Sequence, residues 1–267
     1  MNILVTLNSN YIVPLCVMLK SLMVSNPNGN FDLYVAHSSL TDEDFDKVNK
    51  SIDPERVKVH SAFITPDLLE GAPILKRTSI ETYYRLLLLD YLPQDVDRIL
   101  YIDPDTVVIN DITSLYNVDF SDNVLAAAAH TDWFRESLNK VRFRYPKGHR
   151  YFNAGIIMFN VAKLRKMIRT KDIFDYIEKH EKWLFLADQD VLNGMFNAQT
   201  LFIDECIYNL DEKTVSFNKK KVTDLDWVRK NAVIVHFNGI YKPWKPKYKG
   251  ILAPLYFEYK QLLDGID

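Results

Sequence analysis

Arg98-Ile99-Leu100-Tyr101-Ile102-Asp103-Pro104-Asp105 reads as a short apolar strand that stops on two carboxylates one residue apart. β-branched and aromatic residues suit a pleated, buried surface. Side chains at the end of such a stiff element are held in place. Two carboxylates there make a compact, doubly negative site for a hard divalent cation such as magnesium, calcium or manganese. Asp-Pro-Asp is also good turn chemistry, so the run alone does not separate a metal site from an ordinary turn. The chain has no glycine-rich phosphate loop, and a metal at this point would be the natural way to bind a nucleotide diphosphate.

Upstream of this run, strand and helix patterns alternate. Ile3–Leu7 reads as a strand, Ile12–Val24 as a helix and Phe31–Ala36 as a strand; Thr41–Ile52 reads as an acidic amphipathic helix and Val57–His60 as a strand. This rhythm predicts an α/β fold with a mostly parallel sheet covered by helices. Such sheets bind ligands at the carboxyl ends of their strands. Thr78 and Glu81 have capping-box spacing, which predicts a helix from near Ser79 with Ile80, Tyr83, Tyr84, Leu87, Leu88 and Tyr91 as its apolar stripe. Arg85 would then be a cation on a buried helix, in need of an anionic partner.

Downstream, Val124–Ala129 and Phe152–Asn160 read as buried strands, Asp132–Arg150 as a polar and aromatic excursion, and Ile173–Lys182 and Asp188–Asn197 as helices. Leu201–Ile203 and Ala232–Phe237 read as late strands, and Pro254–Leu263 as a closing helix. No repeat, low-complexity linker or domain boundary is visible, so 267 residues with 48% hydrophobic content predict a single domain with an ample core.

The net charge of −2 gives no global basic field, which argues against nucleic acid as a partner. Cys16 and Cys206 have neither metal nor redox spacing and read as free thiols in a reducing cytoplasm. Met1–Val5 already reads as a strand, with no signal-peptide pattern ahead of it. Tyr11–Met23 contains Pro14, Lys20 and Ser21 and is too short and interrupted for a transmembrane segment.

Further constellations carry chemistry. His236 ends a late strand, where an imidazole can complete a metal site begun by two carboxylates; mixed nitrogen and oxygen ligands favour manganese over calcium. Lys242 follows and can reach phosphate oxygens. A hydrogen-bonded core histidine and a solvated lysine are the plainer readings of the same residues. Asp188-Gln189-Asp190 opens a helix, where Asp188 can cap and both acids suit the dipole. The functional reading has Gln189 and Asp190 facing the cleft, binding sugar hydroxyls and stabilising positive charge at an anomeric carbon. Asn153-Ala154-Gly155 starts a strand: Asn153 can grip a sugar hydroxyl and Gly155 allows close backbone approach. Asn8, Asn10 and Tyr11 follow the first strand, where a base or ribose would sit. Lys219-Lys220-Lys221 reads as a solvated loop.

Taken in order, these segments resemble glycosyltransferase family 8, whose members include bacterial lipooligosaccharide galactosyltransferases and glycogenin. The carrying residues are Tyr11, Ser79–Leu86, Leu100–Asp105, Phe152–Gly155, Asp188–Asn193, His236–Gly239 and Lys242–Trp244. The resemblance implies the nucleotide-diphospho-sugar-binding fold called GT-A over residues 1–267, with the nucleotide part over about 1–110 and the sugar and acceptor part over about 111–267. It implies a UDP-sugar donor, Mn2+ (Mg2+ in second place) and transfer of glucose or galactose to a glycan or glycolipid with retention of configuration. Asp103, Asp105 and His236 would hold the metal, Lys242 and Gly239 would contact the diphosphate, and Arg85, Asn153, Ala154, Asp188 and Gln189 would lie around the donor sugar. Asp188, Gln189 and Asp190 are the candidates for the chemistry itself.

The chain departs from the family in having Asn8 and Ser9 where an acidic residue often follows the first strand. It has His130 and Asp132 after the Val124 strand, and it ends without a basic aromatic tail. The implied place of work is the cytoplasm, or the inner membrane face for a lipid-linked acceptor. Two other readings stay open: a nucleotidyltransferase on a similar sheet, disfavoured because Leu7–Tyr11 has neither Gly nor Lys, and a silent glycan- or nucleotide-binding module.

Overall fold

A computed structural model describes residues 1–70, 81–129, 139, 142–143 and 145–265. Among the described residues nine strands are formed: β1 (Asn2–Thr6), β2 (Phe31–His37), β3 (Val57–Phe63), β4 (Arg98–Ile102), β5 (Thr106–Val108), β6 (Leu125–Ala129), β7 (Phe152–Asn160), β8 (Thr200–Ile203) and β9 (Ile234–His236). Seven make one sheet in the order β3-β2-β1-β4-β7-β6-β8, and β5 pairs with β9 in a second, two-stranded sheet. The large sheet is parallel except where β7 runs against both β4 and β6.

The strands are apolar on both faces because both faces are covered. In β4, Ile99 and Tyr101 enter the core on one side and Leu100 and Ile102 the core on the other. The first side packs under the helices Thr170–His180 and Ala187–Phe196, the second under Ile12–Ser25. A third cluster joins Val107, Val235 and Phe237 of the small-sheet region to Leu255 and Tyr256 of the final helix, Ala253–Asp264.

The chain builds outward from β1 through β2 to β3, then returns to place β4 on the other flank of β1. The carboxyl ends of β1 and β4 therefore flank the point where strand order reverses, the place where such sheets bind ligands. Because β7 is antiparallel, its amino end meets the carboxyl end of β4: Ile102 pairs with Ile156, and Asp103 N donates to Gly155 O at 2.7 Å.

Several expectations are refined. The expected start of the helix at Thr78–Ile80 lies outside the described residues. From Glu81 onward the segment is not one helix: an α-turn, Glu81–Tyr84, tightens to 3-10 over Arg85–Leu87 and resumes as α over Leu88–Tyr91. The Tyr91 hydroxyl donates to Tyr84 O at 2.9 Å and satisfies a carbonyl at that junction. The last expected strand does not join the large sheet but pairs with β5, a three-residue strand too short to read in sequence. Most of the expected excursion up to Tyr145, with His130 and Asp132, lies outside the described residues. Cys16 and Cys206 are both free and buried.

Candidate active site

Asp103 follows β4 directly, and Asp105 stands in the short turn before β5. That turn is pinned by Thr106 Oγ1, which donates to Asp103 O at 2.9 Å, and by Phe237 N, which donates to Asp105 O at 2.9 Å. The second bond ties the Asp pair to the end of β9, and so to His236.

Each carboxylate has one oxygen taken by a fixed cation and one turned inward. Arg85 Nη2 lies 3.2 Å from Asp103 Oδ1, and the Tyr101 hydroxyl donates to the same oxygen at 2.5 Å. Lys242 Nζ donates to Asp105 Oδ2, and to Phe237 O at 2.8 Å. The inner oxygens, Asp103 Oδ2 and Asp105 Oδ1, lie 3.6 and 3.3 Å from His236 Nε2. One ligand atom from each of Asp103, Asp105 and His236 falls within 4.8 Å of the others. Two hard oxygens and one imidazole nitrogen match manganese or magnesium, so the residues fit the implied ion.

The electrostatics agree with this layout. Burial pushes Asp105 up, but His236 and Lys242 overcome it and hold its carboxyl well below the usual range. Burial would lower His236, yet the Asp105 charge raises it. Arg85 is buried but stays charged between Asp103 and Asp188, whose Oδ2 lies 2.9 Å from its Nε. Asp188 itself is pushed up to about 6 by burial, against the pull of Arg85. The Arg85 guanidinium also donates to Ala154 O at 2.7 Å and sits 4.1 Å above the Tyr101 ring centre. The anionic partner that its buried position demands is thus two carboxylates.

The Asp103, Asp105 and His236 cluster lies between two compartments. Thr6, Leu7, Asn8, Tyr11 and Glu81 line one, at the end of β1. Asn153, Ala154, Gly155, Asp188, Gln189 and the exposed Phe185 and Leu186 line the other, at the start of β7. Arg85, Asp103 and Asp105 belong to both. Asn8 bridges its own turn, accepting from Asn10 N at 3.1 Å and donating to Glu81 Oε1 at 3.1 Å. Tyr11 meets Trp244 edge-on, 6.2 Å between ring centres. In the second compartment Gln189 Oε1 accepts from Asn153 Nδ2 at 3.2 Å and from Ala154 N at 3.0 Å.

Three expected site residues are placed differently. Asp190 does not face the cleft. It is fully buried, with Oδ1 accepting from the Tyr151 hydroxyl at 2.5 Å and Oδ2 from Arg142 at 2.5 Å, Phe185 N at 2.6 Å and Leu186 N at 2.9 Å. A carboxylate one turn into a helix can reach back to the free amides of its own entry loop, and Asp190 does so. Gly239 lines a separate, more apolar hollow beside Tyr241 and Tyr248 rather than either compartment. Asn10 is exposed and lies outside both linings.

Sequence reasoning passed over Glu81, which lines the first compartment, and Asn209, whose Oδ1 lies 2.9 Å from His236 Nδ1. Glu81 stood in the sequence as a capping residue and within the Ser79–Leu86 stretch of the resemblance, without a site role, and no local pattern marks Asn209.

Residues 2–247 match the family described as glycosyl transferase family 8. The chain belongs to that family. It is 25% identical over 273 residues to a lipopolysaccharide 1,2-glucosyltransferase of Escherichia coli K12, covering 99% of this chain and 78% of that protein. It is 24% identical to a lipopolysaccharide 1,3-galactosyltransferase of Salmonella typhimurium, covering 91% and 72%. The crystal structure of the galactosyltransferase LgtC, solved with donor and acceptor sugar analogues, superposes with a TM-score of 0.82 at 25% identity, covering 99% of this chain and 96% of that one. The fold of this family 8 chain is thus the GT-A glycosyltransferase fold, and Asp103, Asp105 and His236 form a cluster that could hold a metal ion. Among the described residues no helix is long and apolar enough to cross a membrane.

Proposed function

We propose that this glycosyltransferase moves glucose or galactose from a UDP-sugar to a hydroxyl of a glycan or glycolipid, with Mn2+ (Mg2+ as substitute) held by Asp103, Asp105 and His236. The observation that carries the reading is the position of that cluster, between a compartment walled by Tyr11 and one walled by Gln189. A bound ion there supplies Lewis-acid stabilisation of the charge that grows on a leaving diphosphate.

The protein's own groups do the rest. Asn8 and Tyr11 take the nucleoside, within a nucleotide part over about residues 1–110. Lys242, placed by Asp105, turns its ammonium to the phosphates. Asn153, Ala154, Asp188 and Arg85 hold the donor sugar. Gln189 lies against its anomeric face, with its carbonyl oriented by Asn153 and Ala154. No isolated carboxylate pair marks a glycosidase-type double displacement among the described residues, and retention follows either from departure and attack on one face or from a short-lived covalent intermediate. Gly239 enters this scheme only if its loop closes on the diphosphate, and Asn10 supports through the Asn8 turn. The acceptor enters over Phe185 and Leu186. A lipid-linked acceptor, as in the lipopolysaccharide relatives, would bring the protein to the inner membrane face.

Incubation with a panel of UDP-sugars, with Mn2+ and with chelator, tests the reading. It expects slow metal-dependent UDP release from UDP-glucose or UDP-galactose, and an α-configured product from an α-configured donor once an acceptor is found. Release of pyrophosphate from a nucleoside triphosphate and a sugar phosphate would instead support a nucleotidyltransferase. Donor binding with neither hydrolysis nor transfer would support a silent module.

A further inference from the structure

We propose that Asn209 is a positioning residue that fixes His236 in its Nδ1-protonated form, so that the Nε2 lone pair faces Asp103 and Asp105. Neither the family motif nor the strand pattern singles out Asn209. The inference rests on the metal-site reading above.

The tautomer follows from two backbone amides. A backbone N–H can only donate. Gly155 N lies 2.9 Å from the Asn153 side-chain atom that must therefore be its oxygen. Asn209 approaches that same oxygen at 3.0 Å, so the approaching atom of Asn209 is its amide nitrogen. The other end of the Asn209 amide is then its oxygen, 2.9 Å from His236 Nδ1, and Nδ1 must carry the hydrogen. Ala154 N gives the same answer from the far side: it donates to Gln189 Oε1, to which Asn153 Nδ2 also donates, and this leaves Asn153 Oδ1 facing Asn209. The amide orientations are not a free choice here, as they are at many sites.

The backbone places Asn209 for this task. Leu210 N donates to Ile234 O at 3.0 Å, and His236 N donates to Leu210 O at 2.8 Å. The residue before Leu210 is thereby locked beside the imidazole, and both side chains are buried. In the neutral ring that a metal ligand requires, Nδ1–H committed to Asn209 leaves Nε2 with only a lone pair to present to two carboxylate oxygens, an arrangement a cation completes. Without the Asn209 acceptor the ring can take the other tautomer, and its Nε2–H would bond to Asp105 Oδ1 in the place of the ion. Carbonyl and carboxylate partners of ligand histidines act in this way, and their loss weakens metal binding about 10- to 100-fold.

The test is Mn2+ affinity, read from the free-ion electron paramagnetic resonance signal without nucleotide, in wild type and in Asn209→Leu. It is paired with nitrogen-15 histidine spectra of the Mg2+-loaded wild type. The expected results are a dissociation constant raised about 10- to 100-fold in the folded variant and a hydrogen on Nδ1 of His236 in the wild type. A folded Asn209→Leu protein that keeps wild-type affinity, or a wild-type spectrum with the hydrogen on Nε2, overturns the proposal. The spectrum decides alone if the variant does not fold. Absence of Mn2+ binding by the wild type would instead overturn the functional reading on which this one stands.

Discussion

Asp103 shows how one side chain can serve two masters: Oδ1 is spent on Arg85 and Tyr101, and Oδ2 is left for the centre of the cluster. Asp103→Asn keeps the shape but removes the charge from both. Lewis-acid stabilisation is worth several kcal/mol, so transfer should fall by at least about two orders of magnitude in a UDP-release assay. Gly155 matters for space rather than for backbone freedom. A Cβ there would lie 2.1 Å from His236 Cε1 and 2.8 Å from Asp103 Oδ2. Gly155→Ala should therefore displace the imidazole and cost about 1–3 kcal/mol, measured by denaturant unfolding, with weakened Mn2+ binding alongside.

Asp188 gives a pH signature. Its folded-state value is raised, so its contribution to stability is complete below the ordinary carboxylate range and is lost as pH rises toward about 6. In chelator-treated protein, Asp188→Asn should flatten the fall in stability between about pH 4 and 6; an unchanged slope would remove the burial argument.

At the scale of elements, β7 does the most to build the site, because its reversed direction returns Asn153–Gly155 to the edge where β4 delivers Asp103. The strand itself was legible, since Ala154–Phe159 is a continuous non-polar run bounded by Asn153 and Asn160. Its direction was not, because an apolar run reads the same either way. Asp190 was misplaced for a related reason. Sequence shows which residues open a helix, but not which amides of the preceding loop fold back onto them. Asn209 was invisible because its partners, Asn153 on β7 of the large sheet and His236 on β9 of the small one, are distant in sequence. Asp190 now belongs with the scaffold of the helix entry. Asp190→Ala should cost about 1–3 kcal/mol in unfolding experiments, since it strands the buried Tyr151 hydroxyl, two loop amides and the half-buried Arg142 charge.

For the whole molecule, the β1–β4 flank of the large sheet and the β5–β9 pair must hold their relative placement, because the first carries Asp103 and the second His236. A ligand that bridges them stabilises the folded chain by mass action. Mn2+ with UDP at 100 times its dissociation constant should add about 2.7 kcal/mol, visible as a raised melting temperature that chelator reverses. The most direct test of the central claim is calorimetric titration of UDP into wild type and Asp103→Asn, each with Mn2+ and with chelator. The account predicts tight binding only for wild type with Mn2+. Equal UDP affinity in chelator, or in Asp103→Asn, would contradict it.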